Sequence, residues 1–196
     1  MHYHLGAQCC GDLEDAADLM DRMTATLQRA IELVDATSML WRLHLRGVDV
    51  GDRWNAVADA WEPMADDGYY AFNDMHAMMA FIGAGRDQAA SRLMAVLNQR
   101  ASGTGSNAAM TRDVGLPVCA ALRAFADGHY DLAIDLLLPV RAVSHRFGGS
   151  NAQRDVITLT LIEAALRGGR AKLARALTAE RTDLKPSSPF NWALAA

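Results

Sequence analysis

The chain has 196 residues, 51% of them hydrophobic and 21% charged, with a formal net charge of -4. This composition fits one folded domain with its own core, and the acidic balance argues against a nucleic-acid-binding surface. No apolar run is long enough to span a membrane, and the first residues lack the basic-then-apolar order of a secretory signal.

The three cysteines, Cys9, Cys10 and Cys119, are too few and of the wrong parity for a disulfide framework. They read as reduced thiols in a cytoplasmic protein. No second pair of Cys or His follows at zinc-ligand spacing, and no glycine loop has cofactor-binding spacing, so neither metal nor cofactor is expected.

Taken in chain order, apolar periodicity predicts helices near 12–23, 26–46, 52–65, 72–83, 86–101, 116–126, 130–146, 151–167 and 170–182. A short final helix is predicted after Ser188, with Pro189 in its first turn. No segment alternates with period two for long enough to predict a strand. The polar stretch 102–113, SGTGSNAAMTRD, reads as a flexible loop that divides one domain, 1–196, into two sub-arrays.

A repeat underlies the helices. Gly11, Gly51, Gly85, Gly128 and Gly169 are each followed five residues later by an alanine: Ala16, Ala56, Ala90, Ala133 and Ala174. In four of the five, a leucine follows one turn later: Leu19, Leu93, Leu136 and Leu177. Glycine suits the turn between two helices, and alanine lets the second helix approach the first closely. The prediction is an all-α fold, an α-solenoid of about five tetratricopeptide-like helical hairpins. The first hairpin reads as truncated, which would leave an apolar face exposed; a fragment of a longer chain, a shortened repeat protein, or a homodimer that caps this end would each account for it.

Beyond the generic repeat, four strings carry a more specific likeness: LVDATSMLWRLHLRGVDVGDRW (33–54), AFNDMHAMMAFIGAG (71–85), VGLPVCAALRAFADGHYDLAIDLLLPVR (114–141) and GGSNAQRDVITLTLIEAAL (148–166). Together they resemble the tetratricopeptide repeat protein 38 family over roughly residues 27–196. The resemblance implies a helical-repeat fold and no established reaction. It also implies that the chain corresponds to the C-terminal half of longer members.

Two strings concentrate polar groups. In FNDMH, Asn73 and Asp74 suit a helix start, by capping and by charge at the positive helix end. His76 lies on a mostly apolar helix, either as a hydrogen-bonded core histidine or as a groove-facing ligand or proton carrier. In GGSNAQRD, Ser150 and Gln153 form a capping box. Arg154 and Asp155 precede an apolar run, and an arginine beside a Gly-Gly turn at a helix start also suits an anion. Arg141 and His145 lie just upstream, facing that site or simply complementing a helix end. If His76, His145, Arg154 and Asp155 converge, they form one polar pocket. No residue reads as catalytic, because no nucleophile–base pair is legible.

The tryptophans at 41, 54, 61 and 192 and most methionines fall at core spacing, although Met75, Met78 and Met79 would also suit an adaptable peptide groove. Cys119 reads as a buried small residue. The leading expectation is a scaffold that binds a peptide segment or partner protein in a concave groove. The alternatives are a small-molecule or anion-binding protein or enzyme using the His/Arg/Asp pocket, and a self-associating structural protein.

Overall fold

A computed structural model of the chain describes residues 30–188 and residue 191. The expectations for Gly11, Ala16, Cys9, Cys10, Trp192 and an N-terminal dimer face lie outside the described residues, as does the final helix apart from Asn191. The described residues are helical, with no strand among them.

Four helical hairpins follow one another. The helices are α1 (Ala30–Leu45) with α2 (Arg53–Trp61), α3 (Ala71–Gly83) with α4 (Asp87–Ala101), α6 (Leu116–Ala126) with α7 (Tyr130–Arg141), and α8 (Asn151–Arg167) with α9 (Ala171–Leu184). A short helix, α5 (Ser106–Met110), and a π-helical turn (Thr111–Gly115) lead directly into α6. Short 3₁₀ turns cover Glu62–Met64 and Ser144–Phe147.

The glycines sit where the repeat requires them. Gly85 and Gly128 have φ of 66° and 76°, and a β-carbon at either would meet nothing within 4 Å. Their role is therefore conformational: they turn the chain through a left-handed residue that other side chains disfavour. The alanines Ala90, Ala133 and Ala174 are buried against their partner helices, whereas Ala56 is only half-buried. That exception falls in the hairpin whose sequence departs from the leucine position.

The helices divide into an inner and an outer set. α1, α3 and α8 bury side chains around most of their circumference, including Ala36 through Trp41 on α1 and Met75 through Phe81 on α3. The outer helices bury one stripe each, for example Ala133, Ile134, Leu137 and Val140 on α7. α3 packs on α1 and α6, and α1 also packs directly on α8. The first described helix is thereby joined to the last hairpin, and the space between the inner helices is filled by side chains.

The stretch 102–113 differs from its sequence reading, because only its first residues are irregular and helix begins at Ser106. Gly105, at φ 106°, makes the turn. Ala108, Thr111 and Val114 then bury one face. Three buried residues at helical spacing outweigh a composition that reads as loop.

Candidate functional site

His76 sits one turn after Phe72 on α3, with both ring nitrogens engaged. Nδ1 lies 2.7 Å from the Phe72 carbonyl, and a carbonyl only accepts, so Nδ1 carries the proton. Nε2 is then the acceptor, and the Ser38 hydroxyl on α1 donates to it at 2.9 Å. Burial pushes the imidazole down to about 4; the Phe72 bond opposes this, and the nearby positive charge of Arg42 adds to it. The ring is neutral at ordinary pH. A serine donating to a histidine oriented by a third group is the geometry of an activated nucleophile. Here both side chains are sealed in the core, and the pair joins α1 to α3.

Asp74 faces a different neighbour. α3 begins at Ala71 with Tyr70 in the N-cap position, so the helix starts earlier than the reading of Asn73 as cap requires. The physical reason is that the rings of Tyr70 and Phe72 pack against each other and against the 148–149 turn, and that packing fixes the first turn. Asn73 is half-buried within this turn. Asp74 is only 5% exposed, and its Oδ2 has no hydrogen-bond partner. Burial raises its carboxyl to about 7, with Asp67 adding to the shift and Arg100 opposing it. The buried thiol of Cys119 is pushed up, first by burial and then by Asp74.

The second string is held by its own backbone. Ser150 and Gln153 form the expected capping box at the start of α8, and Gln153 Nε2 also donates to Asp35 on α1 at 3.1 Å. Arg154 donates to the carbonyls of Gly148 and Gly149 and to Asn151 Oδ1. Its fork thus closes the Gly-Gly turn. Asp155 forms a two-pronged pair with Arg181 on α9. Arg141 reaches Glu180 on α9 at 2.6 Å. His145 lies exposed on the 3₁₀ turn.

The two strings do meet, through rings and backbone. β-Carbons added at Gly148 and Gly149 would collide with the rings of Tyr70 and Phe72, respectively. Phe147 packs edge-on against Phe72 with ring centroids 5.6 Å apart. The ionisable side chains take separate partners: His76 turns to α1, Asp74 to the side of α6, Arg154 to its own turn, and Asp155 and Arg141 to α9. Among the described residues, no three His, Cys, Asp or Glu side chains are grouped to hold a metal ion, and no helix is long and apolar enough to cross a membrane.

α1 carries a polar stripe that joins it to three other helices. Thr37 accepts from Trp61 Nε1 on α2 at 2.9 Å, and Trp41 Nε1 donates to Thr160 on α8 at 2.8 Å. Arg42 donates to Ser38 O at 3.0 Å and to Ala152 O at the start of α8. With the Ser38–His76 bond, one helix makes polar contacts to α2, α3 and α8. Its signal in the sequence is the ATS–WR pattern inside an otherwise apolar helix, because polar groups in a fully buried helix must find partners. No protein-family model matches the chain, and no solved structure matches it.

Proposed function

We propose that the chain is a tetratricopeptide-like scaffold, an α-solenoid of helical hairpins that binds a peptide segment or partner protein in the cytoplasm. The reading takes up the likeness to the tetratricopeptide repeat protein 38 family and does not depend on it. The observation that carries it is a division of labour among the side chains. Every ionisable group that sequence marked for chemistry is buried or bonded within the fold, His145 excepted, while the outer helix α7 leaves Leu132 and Leu138 exposed. Half-buried Leu136 lies beside Leu132, and Asp135 is exposed on the same helix, while Asp131 is paired with Arg170. Because α1 packs on α8, the partner is assigned to the outer helices and not to the concave groove expected from the sequence. Leu132 and Leu136, one turn apart, form an apolar strip with Asp135 beside it, which suits an amphipathic segment carrying an apolar ridge and a basic residue on one flank.

The test is selection of peptides from a displayed library on the purified chain, followed by affinity measurement on variants. Leu132→Glu combined with Leu138→Glu is expected to weaken the selected peptides about tenfold or more, as apolar anchors at an interface core do. Arg175→Glu on α9 is expected to leave them unchanged. Equal binding by all three proteins would rule out the α7 face. Stabilisation by a small anion that disappears in Arg154→Ala would favour the pocket reading instead.

A further inference from the structure

The two titratable side chains of the FNDMH string lie two residues apart and serve opposite faces of α3. His76 is satisfied by α1, as described above. Asp74 belongs to the other face. Ala71 and Asp74 share one side of the helix at a spacing of three. A β-carbon at Gly115 would lie 2.7 Å from Ala71 Cβ, so the first turn of α3 rests directly on the π turn. One turn further along α6, the Cys119 thiol feels the charge of Asp74.

This seam is closely packed but incompletely bonded. Asp74 Oδ2 has no partner, and neither does Thr111 Oγ1, which is fully buried at the start of the facing π turn. The π turn widens the helix there, with the Leu116 N–H reaching back five residues to the Thr111 carbonyl. Around Asp74, the loop before α3 supplies Asp67, the end of α4 supplies Arg100, and α6 supplies the neutral Cys119 thiol. Arg112 on the π turn is directed to Ala101 O and Asp113. Arg100 in turn donates to the Asp67 carbonyl at 3.0 Å. Among the described residues no cation is bonded to the Asp74 carboxyl, and a largely buried, unpaired carboxylate is disfavoured.

We infer that the seam between the first turn of α3 and the π turn of α6 is a pH-sensitive joint, closed while Asp74 is neutral and opened when it ionises. Opening releases one proton from Asp74 to solvent. It brings the carboxylate to water and within reach of Arg100, and it uncovers Cys119. The direction follows from linkage. The closed seam holds the proton up to about pH 7, whereas an open, hydrated carboxyl holds it only to the ordinary value of 3.8. Opening therefore becomes easier as pH rises between these limits and levels off above the upper one.

Cys119 is the reporter. In the full chain carrying Cys9→Ser and Cys10→Ser, its reaction with 4,4′-dithiodipyridine is measured from pH 5 to 7. Each rate is divided by that of the unfolded chain at the same pH, which removes the thiolate contribution. Protection is expected to fall by about tenfold per pH unit, and Asp74→Asn, which imitates the neutral acid, is expected to level the profile. A flat profile in the parent chain, or parallel falls in both proteins, overturns the joint. Should the Asn variant fail to fold, the carbon-13 carboxyl shift of Asp74 in the parent chain decides. A midpoint near 7 supports the joint, and a midpoint near 4 overturns it.

Discussion

The indole N–H of Trp41 donates to the Thr160 hydroxyl at 2.8 Å, joining helices whose residues are 119 apart in the chain. Thr160 Oγ1 in turn donates a hydrogen bond to the Val156 carbonyl at 2.7 Å. Trp41 is also ringed by His44, Trp54 and Phe125. This contact brings the first described inner helix directly onto the last hairpin. Thr160→Val preserves shape and leaves a buried indole N–H without an acceptor. It is expected to lower stability by about 1–3 kcal/mol in urea denaturation. An unchanged midpoint would mean that α1 and α8 do not meet in solution.

The hairpin register is tested at Ala133, which is fully buried between α7 and its neighbours. Ala133→Glu is expected to cost about 3 kcal/mol or more, through overpacking and an unpaired buried charge. Leu132→Glu, one residue away on the exposed side, is expected to melt close to the parent chain. Equal melting temperatures for the two variants would show that the faces of α7 are misassigned.

Gly128 and Gly149 separate two reasons for a glycine. Both have positive φ, but a β-carbon at Gly128 meets nothing, while one at Gly149 strikes the Phe72 ring. Gly128→Ala is expected to cost about 1 kcal/mol, the conformational penalty alone. Gly149→Ala adds overpacking of about 1–3 kcal/mol. Denaturation midpoints that rank the other way would contradict the packing of the turn on Phe72.

The pH dependence of global stability tests His76 and Asp74 together. The unfolded chain protonates His76 below 6.5 and the folded chain only below about 4. Between these values the unfolded state holds the extra proton, so stability is lost as pH falls. Asp74 acts oppositely: the folded chain keeps a proton to about 7 that the unfolded chain releases at 3.8, so stability is lost as pH rises. Over the shared window the two nearly cancel, and the parent chain is expected to show only the shallow rise with pH contributed by His44, which burial and Arg167 also hold below its ordinary value. Asp74→Asn is expected to unmask a rise with pH, and His76→Gln a fall, each about 1.4 kcal/mol per pH unit. Urea denaturation at pH 4.5, 5.5 and 6.5 gives the slopes. Parallel slopes in all three proteins would remove both assignments. The labelling experiment is independent of this cancellation, because opening the Asp74 seam leaves His76 closed against Ser38.

Local order in this chain was written in local terms. α8 runs over 151–167 as its capping box and apolar run predict. Turn glycines at regular spacing mark the hairpins, and buried alanines mark most of the seams. Errors arose where packing overruled composition. Residues 106–113 contain glycine-adjacent polar residues and still form helix, because Ala108 and Thr111 face the core. α3 begins at Ala71, ahead of the better cap at Asn73, because Tyr70 and Phe72 are held against the 148–149 turn.

The candidate site shows the same boundary. Sequence by itself determined which residues are polar in an apolar setting: His76, Asp74, Arg154 and Asp155 all stand out by their neighbours. It also determined the helices that carry them, since periodicity and capping depend on residues within a few positions of one another. Only the tertiary structure decided where each group spends its hydrogen bonds. The Ser38–His76 bond spans 38 residues and the Trp41–Thr160 bond 119, and no local pattern encodes a partner at that distance. Burial then fixed the chemistry: one core position holds a neutral imidazole bonded at both nitrogens, and another, two residues earlier, holds a carboxyl with no partner for its charge.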